Sequence, residues 1–119
     1  MYAEIHAARP EAMIVFPDSL TLARRQEITD FAARERIPCM YGWTEFAESG
    51  GLVSYGPGLA ENFRTLAKFV DKLVKGGDAS TIPIEQVSRI VLTLNMRAAK
   101  TLGLTVPPAI LARADRVIE

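Results

Sequence analysis

The stretch Ala12-Met13-Ile14-Val15-Phe16, which stops at Pro17-Asp18, decides the fold. It is short, continuous and apolar, a pattern typical of a strand buried on both faces of a parallel sheet. Residues 19–36 then repeat apolar side chains near one face at helical spacing, which predicts an amphipathic helix with Asp18 as its N-cap. A second short strand is predicted at Ile37 to Tyr41. Together these elements form a strand-helix-strand unit with parallel strands.

Glycine and proline separate the elements that follow. A short helix is predicted at Trp43 to Ser49, a third strand at Leu52 to Tyr55, and a break in regular structure at Gly56-Pro57-Gly58. The clearest helical periodicity runs from Leu59 to Val74 and stops at Gly76-Gly77. The remaining predicted elements are a polar loop at Gly77 to Ile84, a fourth strand at Val87 to Leu94, a helix at Met96 to Leu102 capped by Asn95 and closed by Gly103, and a last helical turn from Pro107-Pro108 to Ala114.

This order of elements predicts an α/β fold of three layers, in which helices cover both faces of a mostly parallel sheet. A length of 119 residues with 49% hydrophobic and 24% charged residues fits one domain with one core. Fourteen basic residues balance fourteen acidic ones, and no segment concentrates one sign. The charge pattern therefore argues against nucleic acid and an anionic membrane surface as partners.

Signals for export or membrane insertion are not expected in this sequence. Its longest apolar run is about five residues, whereas roughly twenty are needed to span a bilayer. The N-terminus has Glu4 where a signal peptide has a basic head, so the chain as written is expected to stay in the cytoplasm. Cys39 is the single cysteine, which excludes a disulfide within the chain, and Cys39 with His6 cannot form a structural zinc site.

The candidate binding residues follow the predicted strands, because ligands of open parallel sheets bind beyond the carboxyl ends of the strands. Asp18 and Ser19 offer polar groups, and Asp18 suits an ammonium group. Tyr41, Trp43 and Tyr55 offer an aromatic wall, since each side chain combines an apolar face with a polar group. Two alternatives stay open: Asp18 caps a helix without any ligand, and each ring can pack against a neighbouring helix. The loops concerned are Pro17-Asp18-Ser19, Tyr41-Gly42-Trp43 and Tyr55-Gly56-Pro57.

No residue set for covalent catalysis is visible in the sequence. His6 lies in a charged segment without an adjacent nucleophile or orienting partner. Ser54 lacks the flanking glycines of a nucleophile elbow, and Gly50-Gly51 and Gly56-Pro57-Gly58 match neither a P-loop nor a dinucleotide fingerprint. We therefore expect no catalytic residue, no metal and no cofactor.

Several runs of residues share their order and spacing with a known protein family. They are Ile37-Pro38-Cys39-Met40-Tyr41-Gly42-Trp43, Glu45-Phe46, Gly50-Gly51-Leu52-Val53-Ser54-Tyr55-Gly56-Pro57, Phe69 to Gly76, Ile82 to Gln86, Leu94-Asn95, Ala99 to Pro108 and Leu111 to Asp115. In these runs the sequence resembles the ABC transporter substrate-binding family often found beside tryptophan-type permeases. The resemblance covers essentially the whole chain.

The resemblance implies a type I periplasmic-binding fold, in which two α/β lobes enclose a solute. Within a single α/β unit of 119 residues, it places residues 1–50 in the second lobe, 51–58 at the hinge and crossover, and 59–119 in the first lobe. It also implies an ABC permease as a partner and a periplasmic location. Family members are much longer than this chain, so the implied fold is partial and much of the cleft is absent.

Three functions remain as hypotheses. The first is a solute-binding component of an ABC-type uptake system, or a truncated remnant of one, that captures a small molecule such as an amino acid. The second is an oligomeric assembly protein of the same fold without a working cleft. The third is a small α/β enzyme, which ranks last because catalytic motifs are missing. The apolar strands and the helix from Leu59 to Val74 need additional cover, which predicts a homo-oligomer, most simply a twofold dimer.

Overall fold

The computed structural model describes residues 2–85 and 89–119. Within these residues five strands form one sheet, and their order in the sheet is their order along the chain. The strands are β1 (Met13–Val15), β2 (Cys39–Tyr41), β3 (Val53–Pro57), β4 (Ile90–Asn95) and β5 (Arg116–Ile118). The helices are α1 (Tyr2–Ala8), α2 (Ser19–Ala23), α3 (Arg25–Arg34), α4 (Thr44–Glu48), α5 (Leu59–Val74), α6 (Met96–Leu102) and α7 (Pro108–Leu111), with a 3-10 turn at Ala79–Thr81.

Strand pairing confirms the α/β fold with a mostly parallel sheet. β1, β2 and β3 run parallel to one another, and β4 and β5 form a second parallel pair. β3 and β4 are antiparallel, so the sheet is mixed. The cause is the return path of the chain: Pro57 at the end of β3 pairs with Ile90 at the start of β4, so the chain leaves and re-enters the sheet at the same end.

Hydrogen bonds confirm two helix starts that the sequence predicts. Asp18 Oδ1 accepts a bond of 2.7 Å from the backbone N–H of Leu20. Asn95 Oδ1 accepts a bond of 3.0 Å from the N–H of Ala98. Because Ser, Thr, Asp and Asn are the residues that satisfy free N–H groups at helix starts, these two ends could be read from sequence. The long helix α5 also has the predicted bounds.

Several details of the predicted elements are wrong. α1 was not predicted, and the single helix over residues 19–36 divides into α2 and α3 because Arg24 leaves helical geometry at φ −100° and ψ 16°. Gly56 and Pro57 continue β3 because both pair with β4. The last helical turn ends at Leu111, and an unpredicted strand, β5, follows. Val87, the predicted start of the fourth strand, lies outside the described residues.

The core lies on one face of the sheet, against α3 and α4. Met13 and Val15 of β1 pack against it, whereas Ile14 between them is 67% exposed. The prediction that β1 is buried on both faces is therefore wrong, because no described element covers Ile14. The buried cluster consists of Ile28, Phe31, Ala32, Ile37, Cys39, Tyr41 and Phe46.

The helix α5 departs from this layered arrangement. None of its residues is buried. The radius of gyration is 17.5 Å, whereas a compact domain of this length has about 13 Å. β4 and β5 pair into the same sheet as β1 to β3, so residues 90–118 and 13–57 form one layer. The assignment of residues 1–50, 51–58 and 59–119 to a second lobe, a hinge and a first lobe stays a prediction.

Candidate functional site

The three loops named by the sequence meet at one edge of the sheet, beyond the carboxyl ends of β1, β2 and β3. Two glycines allow this contact. A Cβ atom at Gly42 would lie 2.8 Å from the Pro17 ring, and a Cβ atom at Gly56 would lie 1.9 Å from the Gly42 carbonyl oxygen. Only residues without a Cβ let the backbones approach so closely. The loops therefore form one continuous edge.

Asp18 lies at this edge and starts α2. One carboxylate oxygen caps the helix, and the Asp18 carbonyl accepts a bond of 2.9 Å from the Thr21 hydroxyl. Asp18 also lines a cavity of about 320 Å³, whose walls include Ile14, Phe16 and Phe31. Ser19, the first residue of α2, is exposed beside it. The edge thus presents a carboxylate and a hydroxyl next to an apolar surface.

Replacing Asp18 by Ala should lower the free energy of unfolding by about 1 kcal/mol, because α2 loses its N-cap. The variant Asp18→Asn should stay within about 0.3 kcal/mol of the unchanged chain, since asparagine caps equally well. Denaturant titrations of both variants measure this difference. An equal loss in both would show that the charge stabilises the loop and that the cap does not.

Tyr41 lies in the core and not at the solvent side of the edge. Its side chain is 1% exposed and stacks on Phe46, with ring centroids 4.8 Å apart and planes 13° from parallel. Burial raises the pKa of the Tyr41 hydroxyl, and burial likewise raises the pKa of the Cys39 thiol beside it. Tyr41 thus holds α4 against β2 through its contact with Phe46, and it anchors the loop that begins at Gly42.

The other two predicted aromatic residues lie on different faces of the sheet. Trp43 packs against the buried cluster beneath α3 and α4. Tyr55 is 52% exposed, while Ser54 before it is 1% exposed, so the Tyr55 ring lies on the uncovered face. Among the described residues, Tyr41, Trp43 and Tyr55 therefore do not form a single wall. Trp43 and Tyr55 flank the edge from its two sides.

A group of buried hydroxyls beside this edge was missed by sequence reasoning. Thr44 Oγ1 lies 3.5 Å from Thr93 Oγ1, and Ser54 pairs with Thr93 across β3 and β4. Within the part of the chain that the structure describes, Ser54 Oγ and Glu45 Oε2 are buried without a hydrogen-bond partner. Burial of a polar atom without a hydrogen bond costs stability, so a hydrogen-bonding group that reached either atom would be favoured. Threonine is common in strands and a single strand serine is unremarkable, so no sequence pattern indicated this group.

A second cavity of about 280 Å³ lies at the opposite end of the parallel strands, between α3 and α6. Its buried polar side chains already have partners. Thr29 Oγ1 donates to the Ser49 carbonyl at 2.9 Å, and Asn95 Nδ2 donates to the Ala47 carbonyl at 2.9 Å. This end of the sheet is therefore the weaker candidate for a polar solute.

Other charged residues pair with one another. His6 Nδ1 lies 2.6 Å from Glu35 Oε2, and Glu48 forms an ion pair with Arg116. Across residues 2–85 and 89–119, no group of three or more His, Cys, Asp and Glu side chains could hold a metal ion. Within the same ranges, no helix combines the length and apolar character needed to cross a membrane.

Comparison with known protein families shows to which family this chain belongs. A family model described as ABC transporter substrate binding protein matches residues 4–118, nearly the whole chain. The chain belongs to the ABC transporter substrate-binding family. The resemblance seen in the sequence is thereby confirmed, and this family is one of binding proteins, not a class of enzymes. No curated protein matches the chain.

Three solved structures share the fold of this substrate-binding family member. An ABC domain from Streptococcus pneumoniae in complex with L-Trp has a TM-score of 0.88 and 21% identity, over 98% of this chain and 40% of that one. A conserved domain protein from Vibrio cholerae has a TM-score of 0.84 and 21% identity, over 98% and 41%. A substrate-binding protein with adhesive properties from Clostridium difficile, in a ligand-free open structure, has a TM-score of 0.61 and 17% identity. The match covers 99% of this chain and 41% of that one. The chain thus spans about 40% of the length of these structures.

Proposed function

We propose that this chain is part of the solute-binding component of an ABC-type uptake system and that it captures an amino acid without covalent chemistry. The family match over residues 4–118 carries this proposal. The Streptococcus pneumoniae structure in complex with L-Trp supports the choice of an amino acid. In this proposal an ABC permease is the partner, and the periplasm or cell exterior, typical of the family, is the location.

The proposed solute lies against the edge formed by the three loops. The Asp18 carboxylate accepts hydrogen bonds from the ammonium group of the solute, and the Ser19 hydroxyl offers a further bond. Trp43 and Tyr55 contact its apolar part from two sides, while Tyr41 positions Gly42 from the core. Pockets of this kind surround most of their ligand, so this edge supplies one wall and a second lobe supplies the other.

The 119-residue chain alone should bind amino acids weakly, with dissociation constants above about 100 μM, because one wall gives only part of the contacts of a closed cleft. A calorimetric titration across the common amino acids measures this. A dissociation constant below about 10 μM, which corresponds to about 7 kcal/mol, would contradict the reasoning from an incomplete cleft.

The position of weak binding can be mapped by NMR of backbone amides at millimolar L-tryptophan. We expect shift changes at residues 18–19, 42–43 and 55–56 and at the Trp43 indole N–H. The matched variant Asp18→Asn keeps the cap and removes the charge, so it should weaken the response without changing the fold. Shift changes confined to the cavity between α3 and α6 would overturn the assignment of the site.

A second candidate function is an assembly protein of the same fold without a working cleft. The observation that favours it is α5, in which no residue is buried. The same NMR titration separates the two candidates. A stable oligomer whose loops do not respond to any amino acid would favour assembly over capture.

A further inference from the structure

We propose that the cavity between α3 and α6 is a second ligand site, which takes a short apolar monocarboxylate with its hydrocarbon chain inside and its carboxylate at Arg97. This inference is independent of solute capture at the edge formed by the three loops. The cavity has a volume of about 280 Å³ and lies at the opposite end of the parallel strands. Its walls are elements that pack on one another, because α6 contacts both α3 and β5. The cavity therefore does not depend on α5 or on the uncovered face of the sheet.

Small residues leave this space where α3, α6 and the turn between α4 and β3 meet. Ala32 and Ala98 supply only methyl groups from the two helices. Gly51 supplies none, and a Cβ atom there would lie 2.5 Å from Cε2 of Tyr41. Tyr41 and Cys39 therefore line the inner wall of the cavity. The space is large enough for a chain of a few carbon atoms, since an apolar cavity of about 150 Å³ already accepts benzene.

The inner wall of the cavity is mostly apolar. Ile37, Leu102 and Ile118 contribute aliphatic side chains to it. The hydroxyl of Thr29 and the amide of Asn95 already donate to backbone carbonyls. A polar ligand group deep in this space would exchange water for apolar walls, which costs free energy. The inner part of the cavity therefore selects a hydrocarbon chain.

The charge at the mouth of the cavity favours an anion. Glu48 lines the cavity but forms an ion pair with Arg116, so these two charges compensate each other. Arg97 also lines the cavity and is exposed to solvent. In the part of the chain that the structure describes, the Arg97 guanidinium has no ion pair. A guanidinium binds a carboxylate through two parallel hydrogen bonds, so the ligand that fits combines an apolar chain with a terminal carboxylate.

A titration with hexanoate, followed by NMR of backbone amides, tests this site. We expect shift changes at residues 50–52 and 97–98, with a dissociation constant of about 1 mM, as fits a ligand of about eight non-hydrogen atoms. Hexylamine has the same chain and the opposite charge, and it should bind at least about threefold more weakly. Equal affinity for the two compounds would overturn the proposal. So would shift changes confined to residues 18–19 and 42–43, or no response at about 20 mM hexanoate.

Arg97→Gln tests whether the guanidinium holds the carboxylate. The variant keeps a long polar side chain and removes the charge, so hexanoate should bind about threefold to fivefold more weakly. Lys100→Gln is the matched control, because it removes the same charge from α6 at a residue that does not line the cavity. The control should leave the affinity for hexanoate unchanged. Equal weakening in both variants would show that only the net charge of α6 acts, and the proposal would be wrong.

Ala98→Leu tests whether the ligand lies inside the cavity. The larger side chain occupies part of the space between α3 and α6, so hexanoate should bind about tenfold more weakly or not at all. A thermal melt of the variant shows whether it keeps its fold. If it does not, the pair Arg97→Gln and Lys100→Gln decides, since both residues are exposed. Unchanged affinity in a folded Ala98→Leu variant would place hexanoate elsewhere and overturn the proposal.

Discussion

Replacing Gly56 by Ala should lower the free energy of unfolding by about 3 kcal/mol or more, because the new methyl group has no room. A Cβ atom at this position would lie 1.9 Å from the Gly42 carbonyl oxygen and 2.9 Å from its carbon. The neighbour is backbone, so relief requires that β3 and the loop after β2 move apart. For a chain of this length, such a loss shifts the melting temperature by about 10 °C.

Gly58→Ala is the matched control for this experiment. A Cβ atom at Gly58 meets nothing within 4 Å, and its backbone, at φ −70° and ψ 124°, suits alanine. The control should change stability by less than about 1 kcal/mol. Thermal and denaturant unfolding of both variants decide the comparison. Equal effects would mean that Gly56 matters for backbone entropy and not for the contact between the loops.

The sequence predicts most of the fold because its strongest signals are local. Apolar runs that end at Pro17-Asp18 or Gly42 indicate strands, and this signal does not depend on distant parts of the chain. Asp18 and Asn95 satisfy backbone N–H groups within three residues of themselves, so no distant contact is needed to place these helix starts. The bounds of α5 follow from a helical periodicity that is clear in the sequence, although none of the residues of α5 is buried.

Strand direction and sheet edges depend on contacts that sequence patterns do not contain. The side-chain pattern of β4 is the same in either direction, and only the return of the chain beside Pro57 makes it antiparallel. β5 has only three residues, of which Arg116 is charged. So short a segment has no apolar pattern that distinguishes a strand from a turn. Its place is given by pairing with residues 93–95 of β4.

The candidate site was predictable as a place but not as a set of side-chain positions. The rule that ligands bind at the carboxyl ends of parallel strands brings the loops of Asp18, Gly42 and Gly56 together. Whether Tyr41 and Tyr55 reach a solute depends on which face each side chain takes, and a shift of one residue in register exchanges the faces. In the structure Tyr41 lies on the covered face and Tyr55 on the open one.

Phe46→Ala should be the most damaging truncation of a large side chain in the core, with a loss of about 4 kcal/mol in the free energy of unfolding. Phe46 is 0% exposed and stacks on Tyr41, so the variant leaves a cavity between α4 and β2. Because this contact holds α4 behind Trp43, we also expect the amides of residues 42–44 to exchange faster with solvent.

Phe16→Ala provides the control for this truncation, since it removes the same atoms from a side chain that is 77% exposed. Its cost should stay within about 1 kcal/mol, because an exposed side chain loses few contacts on truncation. Denaturant unfolding and hydrogen exchange of both variants give the comparison. A small loss for Phe46→Ala, with protected amides at residues 42–44, would show that Tyr41 is held without the stacked ring and that α4 does not position the edge.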